Sequence, residues 1–363
     1  IQDDQGWLWM ATDYGLNQFD GFETRSYFSN FSDRTTLSSN RLTCLSLGIG
    51  REIWVGTADQ GLNQFDLDTR KATRYLPGTK EGANLPSATI LALAMSHKNF
   101  LWIATDKGLC VMDLTTKRIK SAGGALASER ISGVFVIGDN EVWVGTADGR
   151  VYRWNDEESR FKEVWKLNAP VGALNKDVRN VYWIGTMGAG LYKVSSVAGA
   201  KLTAVDTLAQ DVSSITSDSN GNLWIGSHQG LIRFDIAEEL FFEFQHIKGE
   251  RNSLVGNMVT SVFEDRARML WVTTKDKGTC RFHLDRYWFP YFGSDDPATE
   301  LPDSSIWSIE KSFDGSLWVG TQRGLAKWGS IENRANQVSA WERVIGRPYI
   351  VSLLEDSKKQ LWL

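Results

Sequence analysis

The residues best able to move a proton near neutral pH are four histidines, His97, His228, His246 and His283. No two of them stand in HxH or HExxH spacing, so they supply no zinc-type ligand pair. Cys44, Cys110 and Cys280 are odd in number and far apart, with no CxxC among them. They give neither a disulfide framework nor a metal signature, and read as buried small hydrophobes. Neither a nucleophile elbow nor a phosphate loop is present. The many Asp residues occupy turn positions. The expectation is therefore no catalytic residue, no metal and no cofactor in this region.

Residues that could bind without reacting are more plentiful. Tyr14, Asn40, Arg41, Thr89, Arg130, His228, Asn257, Lys275, Trp307 and Arg323 offer aromatic faces and hydrogen-bonding groups. Such a mixture suits a hydroxylated small molecule, and equally suits exposure to solvent. The elements that carry these residues decide whether they meet.

Those elements are set by an internal repeat. An apolar-Trp-apolar-small-Thr block reads Leu8-Trp9-Met10-Ala11-Thr12, then Ile53-Trp54-Val55-Gly56-Thr57, then Leu101-Trp102-Ile103-Ala104-Thr105. It recurs at Trp143, Trp183, Trp224, Trp271 and Trp318, and a ninth copy begins at Leu361-Trp362-Leu363. Six residues before the Trp stands Asp in five copies: Asp3, Asp177, Asp218, Asp265 and Asp356. Gly or Asn precedes the Trp by three residues in most copies, and a Gly follows every complete block, from Gly15 to Gly324. Both residue types tolerate the left-handed backbone of tight hairpins.

The punctuation spells four short strands per repeat: an alternating run, the Trp block, a strand after the Gly, and an aromatic alternation such as Phe241-Phe242-Glu243-Phe244. Four-stranded repeats of about 40–45 residues are the mark of a β-propeller. The fold expected is all-β, a ring of four-stranded antiparallel blades. The tryptophans Trp9, Trp54, Trp102, Trp143, Trp183, Trp224, Trp271 and Trp318 are its blade-to-blade anchors. Seven blades over residues 1–303, with 304–363 opening a second ring, is the preferred division; one eight-bladed ring is the alternative. Strand parity puts the loop into each first strand and the loop joining second and third strands at one end, around the channel mouth. The ten candidate binding residues lie in those loops.

The chain has 363 residues and a net charge of -4, so nothing draws it to nucleic acid or anionic lipid. No apolar run approaches the ~18 residues of a membrane span. It opens and stops in mid-pattern and reads as a fragment, with any membrane segment outside it.

The run Asp4-Gln5-Gly6-Trp7-Leu8-Trp9, through Ala11-Thr12 and Gly15-Leu16 to Phe19-Asp20, resembles the two-component regulator propeller repeat. So do Thr36-Leu37-Ser38-Ser39-Asn40 and Asn252-Ser253-Leu254-Val255-Gly256-Asn257. Arg150 and Thr279 depart from the usual Leu after the Gly. The resemblance implies the periplasmic sensor region of a bacterial inner-membrane receptor. The output would be a cytoplasmic histidine kinase or diguanylate cyclase. It further implies a small-molecule ligand, with oligosaccharides as the candidates, and a homodimer formed through the parent receptor. A propeller enzyme, either a lyase or a glycosidase, and a soluble interaction scaffold are the competing readings.

Overall fold

A computed structural model describes the chain apart from residues 81–83, 97, 138–140, 196–201, 208, 249, 251–252, 285–305, 314–315, 329–340, 347–349, 357–358 and 363. The side chains of 306–307, 311, 328 and 341–346 also lie outside the description. The sequence readings for His97, Asn252 and the division at 303/304 fall on these residues. The architecture is an all-β propeller of antiparallel sheets. Two compact units are present, Ile1–Tyr287 and Trp288–Leu363.

The first unit holds seven successive sheets. The second sheet is representative: Leu42–Leu47, Glu52–Thr57, Leu62–Asp66 and Ala72–Tyr75 pair in sequence order. Among the described residues the first and seventh sheets have three strands each. In the first, Ile1 exchanges two backbone hydrogen bonds with Trp9, as the last residues of an inner strand would.

The Trp block lies second in each four-stranded sheet, and its Trp packs forward onto the next sheet. Trp54 lies in one cluster with Ile103 and Met112, Trp143 with Tyr182 and Ile184, and Trp224 with Leu270 and Val272. Trp9, Trp54, Trp102, Trp143, Trp183 and Trp224 are buried. Trp271 and Trp318 are half-buried. Trp271 faces the first sheet, where its ring meets Phe19 edge-on at 5.6 Å. Arg281 stacks over both of these rings. The seventh sheet thus returns to the first.

Arg266 reads from the sequence as a solvated turn tip, but the structure gives it a different role. Its guanidinium donates to the carbonyls of Asp3 (2.6 Å) and Asp4 (3.1 Å), and its backbone N–H to Gln2 Oε1. The tip of the seventh sheet is thereby tied to the first.

The repeated residues each have a local cause. In every complete copy the Thr, or Ser227, donates its hydroxyl hydrogen to a backbone carbonyl across the following turn. Examples are Thr57 to Gly61 (2.7 Å) and Ser227 to Gly230 (2.9 Å). A hydroxyl is all the position needs, which is why Ser serves. Gly61 has φ +70°, and a Cβ there would stand 2.4 Å from the Tyr75 carbonyl oxygen. The repeated Asp is a three-way acceptor: Asp218 Oδ1 takes the N–H groups of Asn220 and Asn222, and Oδ2 takes Trp224 Nε1–H. Asp3, Asp177 and Asp265 repeat this arrangement. Sheets two, three and four carry Gly48, Ser96 and Ile137 at that place.

The second unit contains a four-stranded sheet, Ile306–Lys311, Leu317–Thr321, Gly324–Trp328 and Trp341–Gly346, and a short pair, Leu354–Glu355 with Leu361–Trp362. Leu325, Ile350 and Leu353 form its core, with Trp318 and Leu361 packed on them. No helix among the described residues is long and apolar enough to cross a membrane.

Candidate functional site at the channel mouth

The inner strands share an irregularity that sequence periodicity did not reveal. In Leu42–Leu47, Ile90–Ser96, Ile131–Ile137, Val171–Lys176, Val212–Ser217 and Val259–Glu264, the register with the Trp strand slips between the first and third residues. A bulge of this kind adds one unpaired residue and re-aims its side chain. The bulged residues are Thr43, Leu91, Ser132, Gly172, Ser213 and Thr260. Thr43 Oγ1 donates to the Ile90 carbonyl of the next sheet at 2.7 Å, and Ser213 Oγ to that of Val259 at 2.7 Å. At Gly172 a Cβ would lie 2.3 Å from the Val212 carbonyl oxygen, so the same approach there leaves no room for a side chain.

Three bulged residues, Thr43, Ser213 and Thr260, border a cavity of about 480 Å³ along the inner strands of the first unit. Thr43, Ser213, Thr260, Ser261, Thr273 and Thr279 give it hydroxyls. Trp271, Phe263, Leu45 and Met10 give it apolar and aromatic wall. Among the described residues no Asp, Glu, His, Lys or Arg side chain lines it, and the Ile1 amino terminus does. Burial pushes the Cys44 thiol on its wall up to about 12, while hydrogen bonds from Thr43 and Gly56 oppose the shift. That sulfur is a neutral, unreactive group. Thr43, Ser213 and Thr260 were missed because they are the bulged residues of their strands.

The loops gather at one end, as strand parity requires. The Gly15 N–H donates to the Asn40 carbonyl, Gly61 to Ala88, Ala58 to Arg41, Ala147 to Arg130 and Lys275 to Met258. These bonds bring Tyr14 beside Asn40, set Arg41 near Asp59 (3.6 Å), and fix Thr89, Arg130 and Lys275 in the same circle of loops. Tyr14, Asn40, Arg41, Arg130, Asn257 and Lys275 are exposed. His228 is half-buried, its backbone N–H on the Asp211 carbonyl and its Nδ1 at 3.9 Å from the Asp211 carboxylate. Asn40 and Asn257 are already engaged, since their Oδ1 atoms accept from Ser29 and His246 N–H. Their amides hold the loops in shape. Arg323 is exposed in a turn of the second unit. Trp307 lies within that unit's inner strand Ile306–Lys311, and its side chain is outside the description.

Among the described residues no group of three or more His, Cys, Asp and Glu is placed to hold a metal. Many of the carboxylates are taken up by turns, and others, such as Glu52 and Glu141, by ion pairs. Asp66 and Asp113 each accept two backbone N–H groups in a hairpin, and these bonds hold their carboxyls below the usual range.

The profile of the two-component regulator propeller family matches residues 208–229 and 300–323. These segments are one repeat in each unit, running from the inner strand through the Trp strand. The chain carries two-component regulator propeller repeats.

Solved structures with these repeats' fold include the extracellular domain of BT3049 of B. thetaiotaomicron, named as a hybrid two-component system. It is 22% identical with a TM-score of 0.69, over 100% of this chain and 49% of that one. The extracellular domain of BT4673 from the same organism is 20% identical with a TM-score of 0.66, over 100% and 48%. The chain thus spans about half the length of these structures. Virginiamycin B lyase from Staphylococcus aureus shares the fold at 12% identity and TM-score 0.60, over 78% of this chain and 93% of the lyase. No curated relative matches the sequence.

Proposed function

We propose that this propeller is the non-catalytic, extracytoplasmic ligand-sensing region of a bacterial inner-membrane receptor. Residues 1–303 form a seven-bladed ring, and 304–363 begin a second. The parent receptor is a homodimer that controls a cytoplasmic histidine kinase or diguanylate cyclase. The observation that carries the reading is the match to two-component regulator propeller repeats. The return of Trp271 onto Phe19 supports a ring complete at the seventh sheet. The cavity supports binding, because its hydroxyls and aromatic wall can hold a small hydroxylated molecule. Signalling then requires that the ligand bind two receptor arrangements with different affinity.

The test is a thermal-shift screen of this chain against neutral and acidic oligosaccharides. A ligand should raise the melting temperature by mass action, and the cavity variants Thr260→Val and Thr279→Val should lose that shift. The parent coding sequence should encode a membrane helix and a kinase or cyclase. A screen without hits, together with a gene lacking both, sinks the reading. The competing enzyme reading draws on the lyase-like fold and the His228–Asp211 pair. Turnover of virginiamycin B by this chain would favour it.

A further inference from the structure

The first sheet carries a second hollow, of about 370 Å³, built on the strands Gly15–Phe19 and Thr24–Tyr27. It opens beside the turn joining those strands, at the end of the first unit opposite the channel mouth. Every residue of its lining is polar except Trp7. Its best-buried member is Gln18, only 6% exposed. Tyr27 Oη donates to Gln18 Oε1 at 2.9 Å. That bond turns the amide N–H groups the other way, and they meet no acceptor among the described residues. The unpartnered Nε1–H groups of Trp54 and Trp102 are sealed, whereas the Gln18 nitrogen keeps surface that a small molecule can reach.

The ladder sets charged groups around this amide. Gln18 stands directly opposite Arg25, and Phe19 opposite Thr24. One step further out the Asp20 N–H donates to the Glu23 carbonyl, so these two acids face each other. Alternate residues of a strand share a face, and all four side chains line the hollow. Two donors, Gln18 and Arg25, thus form one edge, and two carboxylates form the other, about 6.6 Å away along the strands. Asp20 Oδ1 is committed to the N–H groups of Glu23 and Phe22, which hold its carboxyl below the usual range. Asp20 Oδ2, the Glu23 carboxylate and the Arg25 guanidinium have no hydrogen-bond partner among the described residues. Trp7 supplies an aromatic wall, and the Arg70 guanidinium, 5.2 Å from its ring centroid, steadies the indole.

We propose that this hollow binds a free α-amino acid as its zwitterion. The α-carboxylate accepts from Gln18 Nε2–H and Arg25, the α-ammonium donates to Asp20 Oδ2 and Glu23, and an apolar side chain lies against Trp7. The two charged groups of an α-amino acid flank one carbon, so a hydrogen bond of about 2.9 Å at each end spans the distance between the edges. A lone carboxylate meets the acids with no compensation, and a lone amine leaves the Gln18 amide without an acceptor. The site lies apart from the channel mouth and does not rest on the sensory reading.

The probe is L-phenylalanine, titrated into the 363-residue chain and followed by one-bond proton–nitrogen NMR of the indole and side-chain amide groups. Phenethylamine, which lacks the carboxylate, and hydrocinnamate, which lacks the ammonium, are the comparators. The Trp7 indole and Gln18 amide resonances, assigned by their absence from Trp7→Phe and Gln18→Glu, should move with phenylalanine. Each comparator should bind about tenfold more weakly. Gln18→Glu keeps an acceptor for Tyr27 and should abolish phenylalanine binding. The deciding variants are crossed. Arg25→Gln should weaken phenylalanine and hydrocinnamate but not phenethylamine, and Glu23→Gln should weaken phenylalanine and phenethylamine but not hydrocinnamate. Both side chains are exposed, so the melting temperature should stay unchanged, and a lost fold would weaken all three ligands alike. Three results would overturn the site: no movement of either resonance, a comparator bound as tightly as phenylalanine, or variants that weaken all three ligands equally.

Discussion

The carboxylate of Asp218 joins two elements of the same sheet, accepting Trp224 Nε1–H at 2.8 Å while it closes the preceding turn through two backbone N–H groups. Turn and core are thus one structure. Asp218→Ala removes all three bonds and leaves a buried indole N–H unpaired. The expected cost is about 3 kcal/mol, read as a lower midpoint in urea unfolding. In a double-mutant cycle with Trp224→Phe the two losses should be less than additive. Strict additivity would show that the indole contact contributes nothing.

The bulge positions predict opposite responses to one methyl group. Gly172→Ala places a Cβ against the Val212 carbonyl and should destabilise by about 1–3 kcal/mol. Ser132→Ala, at the same position one sheet earlier, deletes a buried hydroxyl that has no partner. It should be neutral or slightly stabilising. Thermal melts of the two variants side by side decide the matter.

Arg266→Ala cuts the bonds to the Asp3 and Asp4 carbonyls, where the seventh sheet meets the first. The site is solvent-facing, so the global loss should be about 1 kcal/mol. Hydrogen exchange should rise at both ends of that seam and leave the Trp143 region unchanged. Uniform acceleration across all sheets would contradict a local role.

Tyr182 contributes to stability at alkaline pH. Burial, then the hydrogen bond to Glu141 at 2.8 Å and its charge, push the Tyr182 hydroxyl up to about 12. An unfolded tyrosine loses its proton near 10. The unfolded state therefore releases a proton first, and this contribution to stability is intact below about pH 10 and lost as pH climbs toward 12. Tyr182→Phe should flatten that part of the stability–pH curve. An identical alkaline slope in the variant would refute the assignment.

Cys110 is fully buried, and burial pushes its thiol up to about 12. The thiolate is the reactive form, so native protein at pH 8 should leave Cys110 unlabelled by iodoacetamide, while unfolded protein is labelled. Mass spectrometry of the peptide containing Cys110 gives the answer.

The repeat made the strands and their order readable in the sequence, because the Trp, Thr and Gly positions each obey a local rule. Thr57 clamps its turn and Gly61 admits the Tyr75 carbonyl, and neither needs distant information. The loops that meet at the channel mouth were likewise accessible through strand parity. The bulges were not, although at Ser213 the spacing of three between apolar Val212 and Ile215, where strict alternation gives two, carries their mark. Arg266 was misread as well. A charged residue at a turn tip looks solvated until ring closure places two carbonyls beside it, more than 260 residues away in sequence.

The repeated bulge separates two tasks that a regular strand would merge. Ladder bonds on either side of each bulge keep the sheet in register, whatever the unpaired residue is: Thr, Leu, Ser and Gly all occupy it. Where the next sheet leaves room for a side chain, as it does at Thr43 and Ser213 but not at Gly172, selection can therefore retune the inner lining one position at a time, as pins are changed in a lock.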